Sequence, residues 1–162
     1  MALVSAFAAG AITDTSTTAL YKLGEVTVTN DSTYGTRFWR YILNGDVASL
    51  TVGMTVEKKA TTVSPGTGII CVTAKKARTA LLGVAAHTIA AASYGWIVCS
   101  GEGYIAGGGS VTDGSPVTTN GTAGQVANAT LTNADEAASF FATALEDDGA
   151  AASTFRALIH LL

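Results

Sequence analysis

Charged and chemically reactive side chains are scarce in this chain of 162 residues. Asp, Glu, Lys and Arg together make up 13% of the sequence, and there are only two Cys and two His. Two Cys exclude a disulfide-dense scaffold. Nine cations against twelve acids argue against an electrostatic nucleic-acid surface. We therefore expect no nucleic-acid partner.

Basic residues are also missing where a secretory or membrane signal needs them. The apolar run from Met1 to Ile12 has the character of a signal-peptide core, but the first cation is Lys22. The longest stretch without a charged residue runs from Thr79 to Gly101 and is long enough to span a bilayer. Small and polar residues interrupt it, and no cations cluster after it. Two buried strands explain it better, so we expect no membrane partner.

Small residues are abundant instead. The chain contains 29 Ala, 24 Thr, 18 Gly and 11 Ser, about half of all residues, yet its mean hydropathy is +0.37. The 38 Leu, Ile, Val and Phe residues are too many for a disordered polar chain. We predict a single β-rich domain over residues 20–162, preceded by an N-terminal arm over residues 1–19.

Short apolar runs separated by turn residues favour strands almost throughout. Val26 and Val28 alternate with polar residues, which predicts a half-buried strand. An aromatic-rich strand over residues 36–43 ends at Asn44-Gly45, a dipeptide favoured in type I′ turns. Further runs follow at residues 47–56, 69–72, 81–84, 94–99 and 101–106. The pattern predicts an all-β, compact antiparallel barrel or sandwich with an extended N-terminal arm and at most one short helix.

The C-terminal region allows two structures. A capping pattern at Asn133 to Glu136 and Gly149 as the terminating residue would frame a helix over residues 134–147. Alternatively, residues 139–145 form a strand and residues 153–161 return, since apolar residues alternate from Phe155 to Leu161. We favour the hairpin.

No catalytic signature is present. The sequence contains no P-loop, no nucleophile elbow and no metalloprotease His pair. Cys71 and Cys99 lie in apolar runs at a spacing that matches no zinc site, which predicts buried and inert thiols. We expect no catalytic residue, no cofactor and no metal. The alternative is a small hydrolase that uses His87 or His160 with a Ser or Cys.

Aromatic and basic residues alternate around the second predicted strand: Tyr34, Arg37, Phe38, Trp39, Arg40 and Tyr41. Such a cluster could stack on sugars, which is the basis of an alternative function as a trimeric fibre, spike or carbohydrate-binding module of a virion. The other interpretation is that one face of the strand is core and the other covers it.

Several segments together resemble one protein family. Leu82-Gly-Val-Ala-Ala and Tyr94-Gly-Trp-Ile-Val, with the glycines that follow, resemble strands of the capsid decoration (cement) proteins of tailed bacteriophages. Residues 21–26 and 38–45 resemble the opening hairpin of that family, residues 50–56 its next strand, and residues 142–147 and 157–161 its final hairpin. The resemblance covers residues 20–161, with no match for the Thr/Gly-rich residues 107–132.

The resemblance implies a structural protein without an active site. Decoration proteins bind the outer capsid surface, commonly as trimers, and clamp neighbouring subunits of the shell. The implied partners are the major capsid protein and further copies of this chain in a homotrimer, and the implied location is the outer surface of a virion. We expect the apolar arm to make the capsid or inter-subunit contacts through Leu3, Val4, Phe7 and Ile12.

Overall fold

The computed structural model describes residues 12–60, 66–70, 80–130 and 139–161. All ten secondary-structure elements in these ranges are strands, which confirms the predicted all-β fold. The strands are β1 (Val26–Asp31), β2 (Gly35–Asn44), β3 (Thr55–Lys58), β4 (Thr67–Ile70), β5 (Leu81–Ala85), β6 (Tyr94–Gly108), β7 (Pro116–Thr119), β8 (Val126–Asn128), β9 (Ala142–Ala144) and β10 (Ala151–His160).

The strands form one sheet whose pairings close two circuits of five strands. The sheet order is β1-β2-β4-β3-β5-β6-β10-β9-β7-β8, with additional pairings of β2 with β6 and of β6 with β8. The first circuit therefore comprises β2, β4, β3, β5 and β6, and the second comprises β6, β10, β9, β7 and β8. Most pairings are antiparallel, and β6 belongs to both circuits.

Strand β6 is continuous where the sequence predicts two separate strands, 94–99 and 101–106. Its register with β2 shifts between Phe38 and Trp39, and Gly101 just beyond has a φ of +102°. A Cβ at Gly101 would lie 2.5 Å from the carbonyl oxygen of Thr36. A register shift bends a strand, and only glycine permits this φ and this approach together. Gly101 thus marks a bend within β6 and does not end the strand.

Each circuit has its own apolar interior. Ile42, Val56, Leu82 and Ile97, one from each of four strands, are buried together in the first circuit. The second circuit buries apolar residues from all five of its strands: Ile105, Val117, Val126, Ala142, Phe155, Ala157 and Ile159. These residues follow the period of two that a strand requires.

The opposite face of the first circuit is aromatic and covered by the N-terminal residues. Trp96 lies 5.0 Å from Tyr41 and 5.2 Å from Tyr21 between ring centroids. Ser16 exchanges two main-chain hydrogen bonds with Tyr94, with N–O distances of 3.1 and 2.7 Å. Ile12 is buried in the core cluster that also contains Trp96 and Tyr41. Part of the predicted arm therefore packs on its own domain.

The alternation predicted for the first strand has the opposite phase. Val26 is 36% exposed, whereas Thr27 is only 1% exposed. Thr27 lies directly opposite Trp39 in the antiparallel register, and cross-strand neighbours share a face of the sheet. Because Trp39 faces the core, Thr27 does so as well.

The predicted type I′ turn at Asn44-Gly45 is wrong. Such a turn requires positive φ at both residues, and neither has it. The buried Asn44 Nδ2, which has two N–H donors, lies instead within hydrogen-bond distance of the carbonyl oxygens of Ala48, Ile89 and Ala90, at 2.9, 3.0 and 3.1 Å. The asparagine is therefore a fixed crosslink between two loops.

The C-terminal hairpin is confirmed. Strands β9 and β10 pair antiparallel, with Ala144 opposite Ala157 and Ala142 opposite Ile159. A helix over residues 134–147 is therefore wrong for its second half, because residues 142–144 are strand; residues 134–138 lie outside the described ranges. The burial of Phe141, Ala142 and Ala144 stabilises the strand over the local helical preference.

The uncharged stretch from Thr79 to Gly101 contributes the buried strand β5 and most of the first half of β6. None of the described residues belongs to a helix long and apolar enough to cross a membrane.

Replacement of Gly101 by Ala tests the bend in β6. We expect Gly101→Ala to lower the free energy of unfolding by at least about 2 kcal/mol, because it combines an unfavourable φ with a main-chain clash. Gly114→Ala is the control, since Gly114 also has positive φ but open space around it; its cost should be about 1 kcal/mol. Urea unfolding measures both. Equal losses would show that the approach to Thr36 has no energetic importance.

Candidate functional site

Two adjoining chambers open beside the β1–β2 hairpin, and we name them together the Arg37 groove. Chamber 1 has a volume of about 160 Å³ and chamber 2 about 140 Å³. Thr13, Arg37 and Trp39 line both chambers. Chamber 1 extends over β5 and β6, and chamber 2 extends along the end of β1. The groove thus lies on the aromatic face of the first circuit.

Arg37 is held in the groove by two rings and a carboxylate. Its guanidinium carbon lies 4.3 Å from the centroid of the Tyr34 ring and 4.7 Å from that of Trp39. Its Nη2 donates to Asp31 Oδ2 at 2.8 Å. The Nε atom is buried and has no acceptor among the described residues. The cation is therefore fixed in place and neutralised, with one donor left unused.

The tight turn that precedes β2 positions Asp31 for this ion pair. Asp31 Oδ1 accepts hydrogen bonds from the main-chain N–H groups of Thr33 and Tyr34 at 2.9 and 2.8 Å. The Tyr34 bond contributes most to lowering the pKa of Asp31; the Thr33 bond and the Arg37 charge act in the same direction, against the effect of burial. The carboxylate is therefore ionised at neutral pH.

Trp39 and Tyr41 are walls of the core and do not form an open platform. Trp39 is 3% exposed and Tyr41 is 2% exposed. The Trp39 Nε1 donates to Thr29 Oγ1 at 2.8 Å, which fixes the indole against β1. Residues 38–41 therefore do not form the open sugar-stacking platform of that hypothesis, because two of their three rings are almost entirely buried. The other interpretation of this strand, core on one face and cover on the other, agrees with the structure.

Chamber 1 has apolar walls and a partly exposed mouth. Val84, Val98 and Ile159 form walls contributed by β5, β6 and β10. Val52 and Tyr104, which also line it, are 43% and 39% exposed. The Tyr104 ring contacts that of Tyr34 edge-on, with 6.2 Å between centroids. The chamber is thus a built apolar cavity with a cation on one side.

The predicted contact residues of the arm fall into two groups. Ile12 is 2% exposed, lines chamber 2 and packs in the core of its own chain. In this arrangement its side chain cannot reach a second chain, because its apolar surface is already buried. Leu3, Val4 and Phe7 lie outside the described residues.

His87 is half-buried, and both of its ring nitrogens are buried. Neither ring nitrogen finds a donor or acceptor among the described residues. Burial lowers the pKa of His87, and the nearby charge of Asp14 on the N-terminal segment acts in the opposite direction. An imidazole without an orienting carboxylate or a bonded nucleophile lacks the contacts of a catalytic base.

Cys99 and His160 are further candidates of the hydrolase alternative that the structure describes. The thiol of Cys99 donates to the carbonyl oxygen of Phe38 at 3.4 Å, and burial raises its pKa to about 11. It therefore stays protonated at neutral pH, as predicted for an inert thiol. His160 Nε2 lies 3.4 Å from Thr143 Oγ1. Cys71 lies outside the described residues, and no metal-binding group of His, Cys, Asp or Glu occurs within the described ranges.

Sequence analysis singled out Tyr34, Arg37 and Trp39 of the groove, but not Asp31 or the walls of chamber 1. The six-residue spacing of Asp31 and Arg37 across a turn that contains Gly35 is the signal for the ion pair, since a hairpin places such residues side by side. No local sequence pattern identifies Val52 and Tyr104 as groove residues, because a distant loop and strand β6 bring them to chamber 1.

Neutralisation of Asp31 tests the ion pair. The lowered pKa of Asp31 in the folded protein means that its contribution is present above the unfolded value of 3.8 and is lost as pH falls through the folded value. Asp31→Asn should lower the free energy of unfolding at pH 7 by less than about 1 kcal/mol. The difference from the unmodified protein should shrink as pH falls below 3.8 and should be lost below the folded pKa of Asp31. The exposed Asp113→Asn serves as control, and a difference that does not shrink as pH falls below 3.8 would contradict the electrostatic explanation.

His87 predicts a second pH dependence. Because its pKa is lowered by folding, the free energy of unfolding should fall as pH drops below the unfolded value of 6.5, and the loss levels off below the folded pKa. His87→Leu should abolish this loss between pH 7.5 and 5, whereas Asp14→Asn should deepen it. His160→Leu is the control that leaves His87 in place. Urea unfolding at several pH values measures the slopes; an unchanged slope in His87→Leu would refute the assignment.

The chain has been compared with known proteins as well. No protein-family model matches it, and no curated protein matches it. Its function is therefore inferred from the residues and their geometry.

Proposed function

We propose that this protein is a structural component of a bacteriophage virion. It binds the outer surface of the capsid, bridges subunits of the major capsid protein and acts as a homotrimer. The resemblance of residues 20–161 to decoration proteins motivates the proposal, and no enzymatic activity is part of it.

The observation that carries the proposal is an exposed apolar face on β6, β10 and β9. We name it the β10 face; its apolar members are Tyr104, Leu145 and Leu158, each about 40% exposed. Tyr104 lies opposite Arg156 in the register of β6 and β10, and Leu158 lies opposite Glu102. Leu145 donates its main-chain N–H to the carbonyl oxygen of Arg156. The three side chains therefore surround one point of the sheet.

An ion pair occupies the centre of the β10 face. Arg156 Nε donates to Glu102 Oε1 at 2.7 Å, and the Arg156 main-chain N–H donates to Glu146 Oε1 at 2.7 Å. Protein interfaces have a similar composition: apolar side chains surround a few fixed charged groups. Aromatic and arginine residues contribute most of the affinity in such interfaces. We assign this face to the capsid.

The rigidity of the scaffold fits this role. The polar side chains buried in the domain hold the fold together: Asn44 joins two loops, and the buried Asp148 accepts hydrogen bonds from Gly109 N and Ser153 Oγ. A clamp on a shell needs such a preorganised surface, because ordering a flexible one would consume binding free energy.

Co-sedimentation with capsids that lack decoration protein tests the proposal. The unmodified protein should bind saturably and raise the temperature at which the capsids break open. Leu158→Asp should weaken binding at least about tenfold, because it replaces an apolar contact by an unpaired carboxylate next to Glu102. Val47→Asp is the matched control, since Val47 is 97% exposed and lies outside the β10 face. Failure of the unmodified protein to bind would refute the function, and equal binding of both variants would refute the face.

A further inference from the structure

The chain contains two Asn-Gly dipeptides, Asn44-Gly45 and Asn120-Gly121. An asparagine that precedes glycine can lose its side-chain amide without an enzyme, because glycine has no side chain to keep its main-chain nitrogen away from the carboxamide carbon. Rigid burial opposes this reaction, since the attacking nitrogen needs a change of main-chain conformation and the reaction needs water. The structure places the two dipeptides in opposite surroundings.

Both asparagines form the same local turn. The main-chain N–H of Thr122 donates to Asn120 Oδ1 at 2.9 Å, and that of Asp46 donates to Asn44 Oδ1 at 3.0 Å. Each bond folds the carboxamide back over the glycine that follows the asparagine. Turn geometry therefore does not distinguish the two dipeptides, and a difference in their reactivity must come from their surroundings.

Asn44-Gly45 is hydrogen-bonded at both reacting nitrogens. Asn44 is fully buried, and its Nδ2 lies within hydrogen-bond distance of three carbonyl oxygens. The main-chain N–H of Gly45 donates to the carbonyl oxygen of Gly68 at 2.9 Å. The nitrogen that would attack is thus engaged, and the amide that would leave is shielded from water. Reaction at Asn44 therefore requires local unfolding.

Asn120-Gly121 lacks these restraints. Gly121 is exposed in the connection between β7 and β8, and a Cβ there would meet no atom within 4 Å. Its main-chain N–H donates no hydrogen bond to the described part of the chain. Asn120 is half-buried, and its Nδ2 donates a long hydrogen bond of 3.4 Å to the carbonyl oxygen of Val126. The attacking nitrogen is therefore unengaged and open to solvent.

We propose that Asn120 is a site of spontaneous deamidation. A base from the solvent removes the proton of the Gly121 main-chain nitrogen, which attacks Asn120 Cγ. The new Cγ–N bond replaces the Cγ–Nδ2 bond, and the amide takes up a proton and leaves as ammonia. The resulting succinimide ring then adds one water molecule.

The ring opens in two ways. Water attack at Cγ gives aspartate at position 120, and attack at the main-chain carbonyl carbon gives isoaspartate, in which the main chain runs through Cβ and Cγ. The inference does not depend on the proposed capsid function, because it rests only on the geometry of the connection between β7 and β8.

Deamidation weakens the closure of the second circuit. The Asn120 main-chain N–H donates to the carbonyl oxygen of Gln125 at 3.2 Å, and a Cβ at Gly108 of β6 would overlap Asn120 Nδ2. Val126, whose carbonyl oxygen accepts from Nδ2, pairs with Gly107 of β6. A carboxylate oxygen in place of Nδ2 has no proton to donate and repels that carbonyl oxygen. Isoaspartate also lengthens the main chain of the connection, so both products strain the pairing of β8 with β6.

Peptide mapping of the aged full chain by mass spectrometry tests the site. During storage at physiological temperature and mildly alkaline pH, Asn120 should convert to aspartate and isoaspartate at least about tenfold faster than Asn44, because Asn44 reacts only after local opening. Asn30 is a second internal control, since it is exposed but precedes Asp31. Conversion of Asn120 no faster than that of either control would overturn the inference.

A substitution at Gly121 separates the chemistry from the fold. Gly121 has open space around it and no positive φ, so alanine fits without strain. Gly121→Ala should slow conversion of Asn120 at least about tenfold, because a Cβ restricts the conformations from which the nitrogen attacks. Gly149→Ala is the matched control, since Gly149 has the same two properties, and it should leave the rate unchanged. An unchanged rate in Gly121→Ala would overturn the mechanism.

Hydrogen exchange measures the consequence for the fold. Aged protein and fresh Asn120→Asp should each exchange the amides of β8 at least about tenfold faster than fresh unmodified protein, because a buried carbonyl oxygen loses its donor. Strands β3 and β5 of the first circuit should keep their protection, and aged Gly121→Ala should exchange like fresh protein. Unchanged exchange of β8 in both aged protein and Asn120→Asp would overturn the link between deamidation and the second circuit.

Discussion

The bend in β6 at Gly101 is the constraint on which the rest of the structure depends. The first half of the strand lies between β2 and β5, and the second half pairs with β10 and β8. Without the change of direction, one strand could not be the common wall of two closed circuits. The absence of a side chain at one position lets β2 approach β6 closely enough to close the first circuit. The β10 face, which is the proposed capsid contact, includes residues of β6.

Much of the fold is readable from the sequence because strand burial imposes local periods. The run around Trp96 and the alternation from Phe155 to Leu161 identify β6 and β10, since each segment must place every second side chain in a core. The phase of β1 is not readable in this way. Thr27 is buried because of Trp39 on the neighbouring strand, and no local pattern contains that pairing. The role of Asn44 depends similarly on loop carbonyls about 45 residues away.

The candidate site is likewise readable from the sequence only in the part that one local turn brings together. The turn that joins β1 and β2 brings Asp31, Tyr34 and Arg37 together, and the sequence contains all three within seven residues. The walls of chamber 1 come from β5, β6 and β10, so only the closed sheet makes a cavity there. Tyr34, Arg37 and Trp39, singled out in the sequence, do line the groove, but they pack against one another and do not form an open platform. Arg37 is held against the rings of Tyr34 and Trp39, and Trp39 is almost entirely buried.

The order of strands along the sheet also determines when this protein can fold. Strand β6 needs β2 from the first third of the chain and β10 from its last residues, and Ser16 pairs with Tyr94 across the same region. A ribosome that has completed β6 has not yet supplied β9 or β10, so the apolar face of the second circuit stays open during synthesis. Contacts so distant in sequence slow folding, and incomplete sheets of this kind aggregate. The domain therefore reaches its native state only after β10 has left the ribosome.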